Sequence, residues 1–190
     1  MNEVKFVLSG EDKKVLSQVK SVLTEEGNLF VGYSTDIQNV TRLIRARTPE
    51  LTIIEVKPNI SEIKNLLDII DSELLCACIL VLDSKNKQII SFLRNRKVIN
   101  YVTKPIYRES FLQIADFCII NYNRVIEYEE KLKKLNNSIE SKRIVDKAKW
   151  ILIERDKITE EKAYEVIKKK SRDNRMPMKS IAEAIILTSS

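Results

Sequence analysis

Five short apolar runs, each followed by a helical pattern, constrain the fold of this chain most strongly. They are "VKFVL" (4–8), "LFVGY" (29–33), "LTIIE" (51–55), "CILVL" (78–82) and "VINYV" (98–102). Between them, apolar residues recur at helical spacing, as in Leu16, Val19 and Leu23. Continuous apolar strands that alternate with helices indicate a parallel sheet covered on both faces. We therefore predict an α/β fold with a doubly wound, five-stranded parallel sheet, whose functional crevice lies at the carboxyl ends of the strands.

The residues at those strand ends resemble a response-regulator receiver domain over residues 1–120. Lys104 and Pro105, after the fifth run, match the Lys-Pro of that family. The other positions depart from it. Ser9 and Gly10 replace the acidic pair, Glu55 replaces the phosphoacceptor Asp, and Asp83 stands where the family has Ser or Thr. The resemblance implies a flavodoxin-like sheet with a degenerate phosphorylation site at Ser9, Gly10, Glu55, Asp83 and Lys104.

These departures bear on the chemistry of the site. Phosphorylation of an Asp needs Mg²⁺ held by carboxylate oxygens, and the family supplies these largely from the missing pair. We expect no metal and no phosphorylation, although Glu11 and Asp12 could supply ligands in a shifted register. Two interpretations of Glu55 stay open. It could project toward the phosphoryl position and hold an active-like arrangement with Lys104, or join a structural ion-pair cluster with Asp83 and Lys104, which we favour slightly.

A narrow apolar seam follows the predicted receiver-like domain. Its members alternate at spacings of three and four residues and are flanked by charge: Val125, Tyr128, Leu132, Leu135 and Ile139. This a/d pattern favours a coiled-coil linker at 121–142 that joins two copies of the chain. The alternative is an amphipathic helix that packs on its own domain.

The end of the chain is basic and helical. Residues 1–130 contain 17 Lys/Arg and 18 Asp/Glu, whereas residues 131–190 contain 16 and 9. Three amphipathic patterns follow the seam, with Thr159 as the expected N-cap of the second and Pro177 at the start of the third. A small basic module beside a neutral domain is typical of nucleic-acid binding, and a solvated helical surface is the alternative.

This segment resembles the ANTAR domain of RNA-binding transcription antiterminators over residues 135–190. The resemblance rests on "AKWILIERDKITEEKAYEVIKKKSRDNRMPMKSIAEAII". Ala148 and Lys149 match the family's Ala-Lys-Gly, but Trp150 replaces the glycine. The turn at 158–161 and the closing residues 181–183 also agree. The resemblance implies an RNA-binding module, and the family commonly joins it to a receiver-like domain and a coiled coil.

The candidate RNA-binding residues are basic or amide side chains of this module. They are Lys147, Lys149, Lys168, Arg172, Asn174, Arg175 and Lys179. RNA stem–loops offer phosphates to such side chains and unstacked bases to Arg, Asn and aromatic groups. Asn174 could contact a base edge or end the helix in a left-handed conformation. For Trp150 we favour a place in the core over a base-stacking platform.

Other classes of function find little support in the sequence. Histidine is absent, and the three glycines are scattered, which removes the commonest general base and any glycine-rich phosphate loop. We therefore expect no enzyme and no cofactor. No run is long and apolar enough to span a membrane, no signal peptide is recognisable, and three cysteines suggest reduced core residues, so we expect a cytoplasmic protein.

We expect a homodimeric RNA-binding regulator, and the resemblance to the ANTAR family implies that it binds paired stem–loops in nascent RNA and promotes antitermination. An upstream sensor or regulatory protein could dock on the receiver-like domain. Two alternatives stay open. A protein-interaction scaffold would use the basic end for an acidic partner, and a DNA-binding regulator would use the three helices as a helix-turn-helix.

Overall fold

The computed structural model describes residues 3–56, 61–83 and 87–188, and the chain divides into the units Met1–Glu127 and Tyr128–Ser190. Residues 1–2 and 189–190, at the outer ends of the predicted domains, lie outside the described residues, as do residues 57–60 and 84–86. None of the described helices has a stretch long and apolar enough to cross a bilayer.

The N-terminal unit contains the predicted five-stranded, doubly wound parallel sheet, which is confirmed. Its elements are β1 (Lys5–Ser9), α1 (Lys13–Glu25), β2 (Leu29–Ser34), α2 (Ile37–Arg47), β3 (Leu51–Glu55), α3 (Ser61–Ser72), β4 (Ala77–Leu82), α4 (Lys87–Leu93), β5 (Ile99–Thr103) and the start of α5 (Arg108–Asp156). The strand order is β2-β1-β3-β4-β5, and every neighbouring pair is parallel. The order reverses between β1 and β3, which is where such sheets open a crevice.

Strand β4 explains why the apolar runs are continuous. Ile79 and Val81 contribute to the core on the side of α1 and α5, whereas Leu80 and Leu82 contribute to the core on the side of α2, α3 and α4. Because successive side chains point to opposite faces, a sheet covered on both faces needs apolar residues at every position.

The three cysteines are free and buried, as the sequence indicated. Burial raises the pKa of the Cys76 thiol to about 11 and that of Cys118 to about 12, because the interior disfavours a charged thiolate. These thiols are packing residues.

Helix α5 continues from the first unit into the second without interruption. Its first turns contribute Phe111, Ala115 and Cys118 to the core of the N-terminal unit. Neither glycine nor proline occurs within α5, so its sequence contains no strong helix breaker.

The C-terminal unit is the predicted three-helix module, built from the end of α5, α6 (Glu160–Asn174) and α7 (Met178–Leu187). Its core consists of Ala148, Leu152, Ala163, Ile167, Ile181, Ala182 and Ile185. The expected N-cap is confirmed, because the Thr159 hydroxyl accepts a hydrogen bond from the backbone N–H of Lys162 at 3.3 Å. Pro177 immediately precedes α7, also as predicted.

Candidate functional site

Four of the residues predicted at the strand ends lie together at the carboxyl edge of the sheet. Lys104 is their centre. Its Nζ lies 3.0 Å from Glu55 Oε1 and 3.8 Å from Asp83 Oδ1, and Gly10 lies against the Glu55 side chain. The fifth residue, Ser9, is buried within β1. Asp12 joins the cluster, with Oδ2 at 3.3 Å from Lys104 Nζ. Glu55, Asp12, Asp83 and Lys104 are called the carboxylate–lysine cluster below.

The Glu55 carboxylate is held by donors on both of its oxygens. Oε1 accepts a hydrogen bond from Lys104 Nζ, while Oε2 accepts from the backbone N–H groups of Glu11 at 3.2 Å and Asp12 at 3.5 Å. The side chain is 9 % exposed. Since these donors precede α1, the positive end of that helix also favours a carboxylate here. The charge of Glu55 is therefore balanced within the protein.

Gly10 makes room for this placement of Glu55. Its φ is +144°, and a Cβ built on it would lie 2.6 Å from Glu55 Cβ and 2.9 Å from Glu55 Oε2. The Tyr33 hydroxyl also donates a hydrogen bond to the Gly10 carbonyl at 2.7 Å. The Glu55 side chain therefore packs against the segment that follows β1. Any side chain at position 10, including the carboxylate that the receiver family has there, would collide with it.

The charges of the cluster reinforce one another. Burial acts to lower the pKa of Lys104, but its hydrogen bonds to Glu55 and Asp12 outweigh burial, so the pKa lies above the ordinary lysine value. The backbone N–H of Val15 and the nearby Lys104 hold the pKa of Asp12 below its usual range. Lys104 is thus a fixed cation among three carboxylates.

This donor set does not fit the Mg²⁺ that receiver domains use. Across the described part of the chain, no three acidic or cysteine side chains converge in a way that could hold a metal ion. The ammonium of Lys104 is within 4.0 Å of Glu55, Asp12 and Asp83 and neutralises the oxygens that a cation would need. Asp12 also caps α1 through the N–H groups of Lys14 and Val15.

The second candidate site lies in the C-terminal unit. Lys168 and Arg172 are one turn apart on α6 and are exposed, Arg175 follows the helix, and Lys179 lies in the first turn of α7. These four residues are called the basic turn below. Within the described residues, neither Arg172 nor Arg175 has an ion-pair partner, so both guanidinium groups face water.

The end of α6 excludes one of the two alternatives for Asn174, the left-handed end of the helix. Arg175, with φ +53°, adopts the left-handed conformation that ends the helix. The backbone N–H of Arg175 bonds to the carbonyl of Arg172, and that of Met176 to the carbonyl of Ser171, which together form a Schellman motif. Asn174 is the last helical residue, and its amide donates to the Lys170 carbonyl at 2.8 Å. Its other amide atom stays exposed.

The lysines among the predicted RNA-binding residues differ in the ion pairs that they form. Lys149 is 15 % exposed and bonds both Asp146 and Glu160 at 2.7 Å, so it ties α5 to the start of α6. Lys168 and Lys179 form longer, exposed pairs with Glu165 at 3.4 Å and Glu183 at 3.9 Å. Such surface pairs contribute little, about 0–1 kcal/mol, so a phosphate can compete for these lysines. Lys147 is exposed.

The predicted seam lies along α5. Tyr128, Leu132, Leu135 and Ile139 are each more than half exposed. Val125, the first member, is partly buried against the core of the N-terminal unit. The exposed stripe therefore begins at Tyr128, where the second unit begins.

Two aromatic residues of the C-terminal unit are exposed although the sequence analysis did not predict it. Trp150 is 66 % exposed, so the preferred place in the core is wrong. Tyr164 was not considered, yet it is exposed and lies one turn before Lys168, whose Nζ is 5.9 Å from the ring centroid. The spacing of Trp150 from the core residues could have indicated its exposure from the sequence. Trp150 lies two positions from both Ala148 and Leu152, which places it on the opposite side of the helix.

Comparisons with known proteins agree with this two-part organisation. The family model of the ANTAR domain matches residues 133–186. The transcriptional regulatory protein PdtaR of Mycobacterium tuberculosis is 23% identical over 183 residues, which cover 96% of this chain and 89% of that protein. Receiver domains provide structural neighbours. A CheY-like receiver domain protein from Methanospirillum hungatei has a TM-score of 0.56 at 16% identity, covering 65% of this chain and 98% of its own.

A second neighbour has the same fold. The receiver domain of an HD domain-containing protein from Pseudomonas fluorescens has a TM-score of 0.57 at 16% identity and covers 67% of this chain and 94% of its own. These likenesses concern the fold alone, while the ANTAR match concerns the sequence of the C-terminal unit. Receiver and ANTAR families are regulatory. The chain thus has an ANTAR domain at residues 133–186, is similar to PdtaR along nearly its whole length and has a receiver-like fold in its N-terminal unit, which together support an ANTAR response-regulator type.

Proposed function

We propose that this protein is an RNA-binding transcription antitermination regulator that binds paired stem–loops in nascent RNA as a dimer. The observation that carries the proposal is the basic turn within the ANTAR-matched segment. Arg172 and Arg175 face water beside two lysines whose ion pairs are weak and exposed. Phosphates would bind the lysines, and unstacked loop bases would offer edges to the guanidinium groups and to Asn174.

In this proposal the predicted RNA-binding residues have three roles, which we assign from their exposure and their ion pairs. Lys168 and Lys179 bind phosphate, and Lys147 can add a phosphate contact from α5. Arg172, Arg175 and the exposed amide atom of Asn174 contact loop bases. Lys149 supports the site indirectly, because its two short ion pairs hold α5 against the start of α6.

Binding assays on the full chain test this proposal. Lys168→Ala and Lys179→Ala should weaken binding to all RNA similarly and flatten its salt dependence, since phosphate contacts carry no sequence information. Arg172→Ala or Arg175→Ala should cost roughly 1–3 kcal/mol on the cognate stem–loop pair and less on an RNA with scrambled loops. Lys162→Ala is the matched control, because it removes one exposed charge from α6 outside the basic turn.

The outcomes separate the competing functions. Equal losses on cognate and scrambled RNA would reduce the basic turn to a nonspecific electrostatic surface. Tighter binding to matched duplex DNA would favour the DNA-binding regulator, and binding only to an acidic protein would favour the scaffold. All variants should keep the helical circular dichroism of the parent, because the substituted side chains are exposed or half-exposed.

We further propose that the receiver-like domain works without phosphorylation and serves dimerisation and partner docking. The support is the carboxylate–lysine cluster. Glu55 is already balanced by Lys104 and two backbone N–H groups, and Gly10 offers no metal ligand. Because Glu55 packs back against Gly10, the geometry favours a structural ion-pair cluster over an arrangement that imitates a phosphoryl group.

Incubation with acetyl phosphate and Mg²⁺ should therefore leave no acyl phosphate on the protein. Glu55→Asp should stay equally unreactive, because it restores the acceptor type without restoring the acidic pair at positions 9 and 10. Intact-protein mass spectrometry measures the adduct directly. A stable adduct that maps to Asp12 or Asp83 would overturn this part of the proposal.

A further inference from the structure

Trp150 is a large aromatic side chain of the C-terminal unit that takes no part in the core of that unit. It is 66 % exposed, and its indole N–H has no hydrogen-bond partner among the described residues. Tryptophan is enriched at interfaces, where its ring packs against a partner and its N–H can donate a hydrogen bond. Trp150 does not pack on the core of this unit, whose α5 contribution comes from Ala148 and Leu152 on the other side of the helix.

Two exposed basic residues precede Trp150 on its side of α5, while the exposed Glu154 follows it by one turn. Arg143 and Lys147 precede it by seven and three residues on the same side of α5, and both are exposed. Neither has an ion pair or a side-chain hydrogen bond within the described part of the chain. The nearest preceding acidic residue, Asp146, is paired at 2.7 Å with Lys149. An aromatic ring that follows two free cations along one side of a helix can stack an unpaired base while the cations bind neighbouring phosphates.

A second copy of the chain is a poorer partner for this ring. The exposed stripe that ends at Ile139 continues at the same spacing through Lys142 and Asp146. In a parallel dimer, identical residues of the two helices face each other, so these positions would oppose like charges. The helices should therefore separate before they reach Trp150 and leave its ring open.

We propose that Trp150 is a stacking platform for an unpaired base of the bound RNA and that Arg143 and Lys147 hold the adjacent phosphates. The inference rests on the RNA-binding function proposed above and extends its surface from the basic turn to α5. Aromatic stacking tolerates any base, so Trp150 contributes affinity for unpaired nucleotides and little discrimination among them.

The sequence contains a single tryptophan, so fluorescence excited at the long-wavelength edge, where the tyrosines do not absorb, reports on Trp150 alone. The probe is a synthetic RNA of two stem–loops, compared with the same stems closed by loops of abasic nucleotides. The intact RNA should quench the emission and shield it from acrylamide, whereas the abasic RNA should do neither. Phosphate contact without stacking would leave the two RNAs alike and would overturn the inference.

Variants give an independent measurement by electrophoretic mobility shift. Trp150→Ala should weaken binding of the intact RNA by about 5- to 150-fold and leave the abasic RNA almost unaffected. Trp150→Phe keeps a stacking ring and should recover most of the loss. Because the side chain is exposed, both variants should retain the circular dichroism of the parent.

The experiments distinguish a failure of this inference from a failure of the proposed function. If the parent protein binds neither RNA, the proposed function fails and this inference falls with it. If the parent binds and Trp150→Ala binds equally well, the function stands and the inference is wrong. An emission shift that depends on protein concentration without RNA would assign Trp150 to a protein interface and would also overturn it.

Discussion

Replacement of Gly10 by alanine is expected to destabilise the N-terminal unit by roughly 2–5 kcal/mol. Two costs add. A φ of +144° is strained for any residue with a Cβ, and that Cβ would lie 2.6 Å from Glu55 Cβ, closer than carbon atoms can approach. Relief would require the Glu55 side chain to leave Lys104 and the two backbone N–H groups that hold it. The carboxylate–lysine cluster would then lose its centre.

Gly27→Ala is the matched control for this experiment. Gly27 also has a positive φ, +83°, but a Cβ there would meet nothing within 4 Å. Its replacement should therefore cost only the backbone strain, about 1 kcal/mol. Urea unfolding followed by circular dichroism measures both variants, and the difference isolates the collision with Glu55. Equal losses at the two glycines would contradict the proposed packing of Glu55 against Gly10.

Leu132→Lys combined with Leu135→Lys is expected to convert the proposed dimer into a monomer. Both leucines are more than half exposed in the single chain, so burial in a dimer is their expected contribution. Full burial of an exposed leucine stabilises by about 1.5–3 kcal/mol. The four leucines of the dimer are each about half exposed in the single chain, so together they would supply roughly 3–6 kcal/mol, and the dimer Kd should rise at least about 100-fold. Sedimentation velocity at micromolar concentration measures the change.

The matched control adds the same two charges on the opposite side of α5. Asn137→Lys with Ser141→Lys leaves the exposed stripe intact and should preserve the dimer.

The monomeric variant should also lose about 100-fold or more in affinity for a two-stem–loop RNA but little for a single stem–loop, because two linked modules bind paired sites far more tightly than one. A parent protein that sediments as a monomer would refute the coiled-coil interpretation.

Local patterns in the sequence determined the architecture. The alternation of continuous apolar runs with amphipathic segments predicts the parallel sheet, because a sheet covered on both faces needs apolar residues at successive positions. The absence of glycine and proline from residues 108–156 is compatible with the uninterrupted α5, and Thr159 and Pro177 mark helix starts through chemistry that acts within one turn. Strand ends share one edge of a parallel sheet, so Glu55 and Lys104 were also predictable as neighbours.

Only the tertiary structure decided how those neighbours interact. The collision that reserves position 10 for glycine joins residues 45 positions apart, and the bonds from Glu11 and Asp12 to Glu55 depend on how α1 packs on the sheet. Sequence spacing also leaves the direction of a helical stripe undefined until its partners are known. Trp150 faces water although a place in the core was favoured, and the ion pair that joins Lys149 to Glu160 was not anticipated from the sequence. Contacts between separate segments, such as those of Glu55 with Gly10, Glu11 and Asp12, are not recorded in a local pattern.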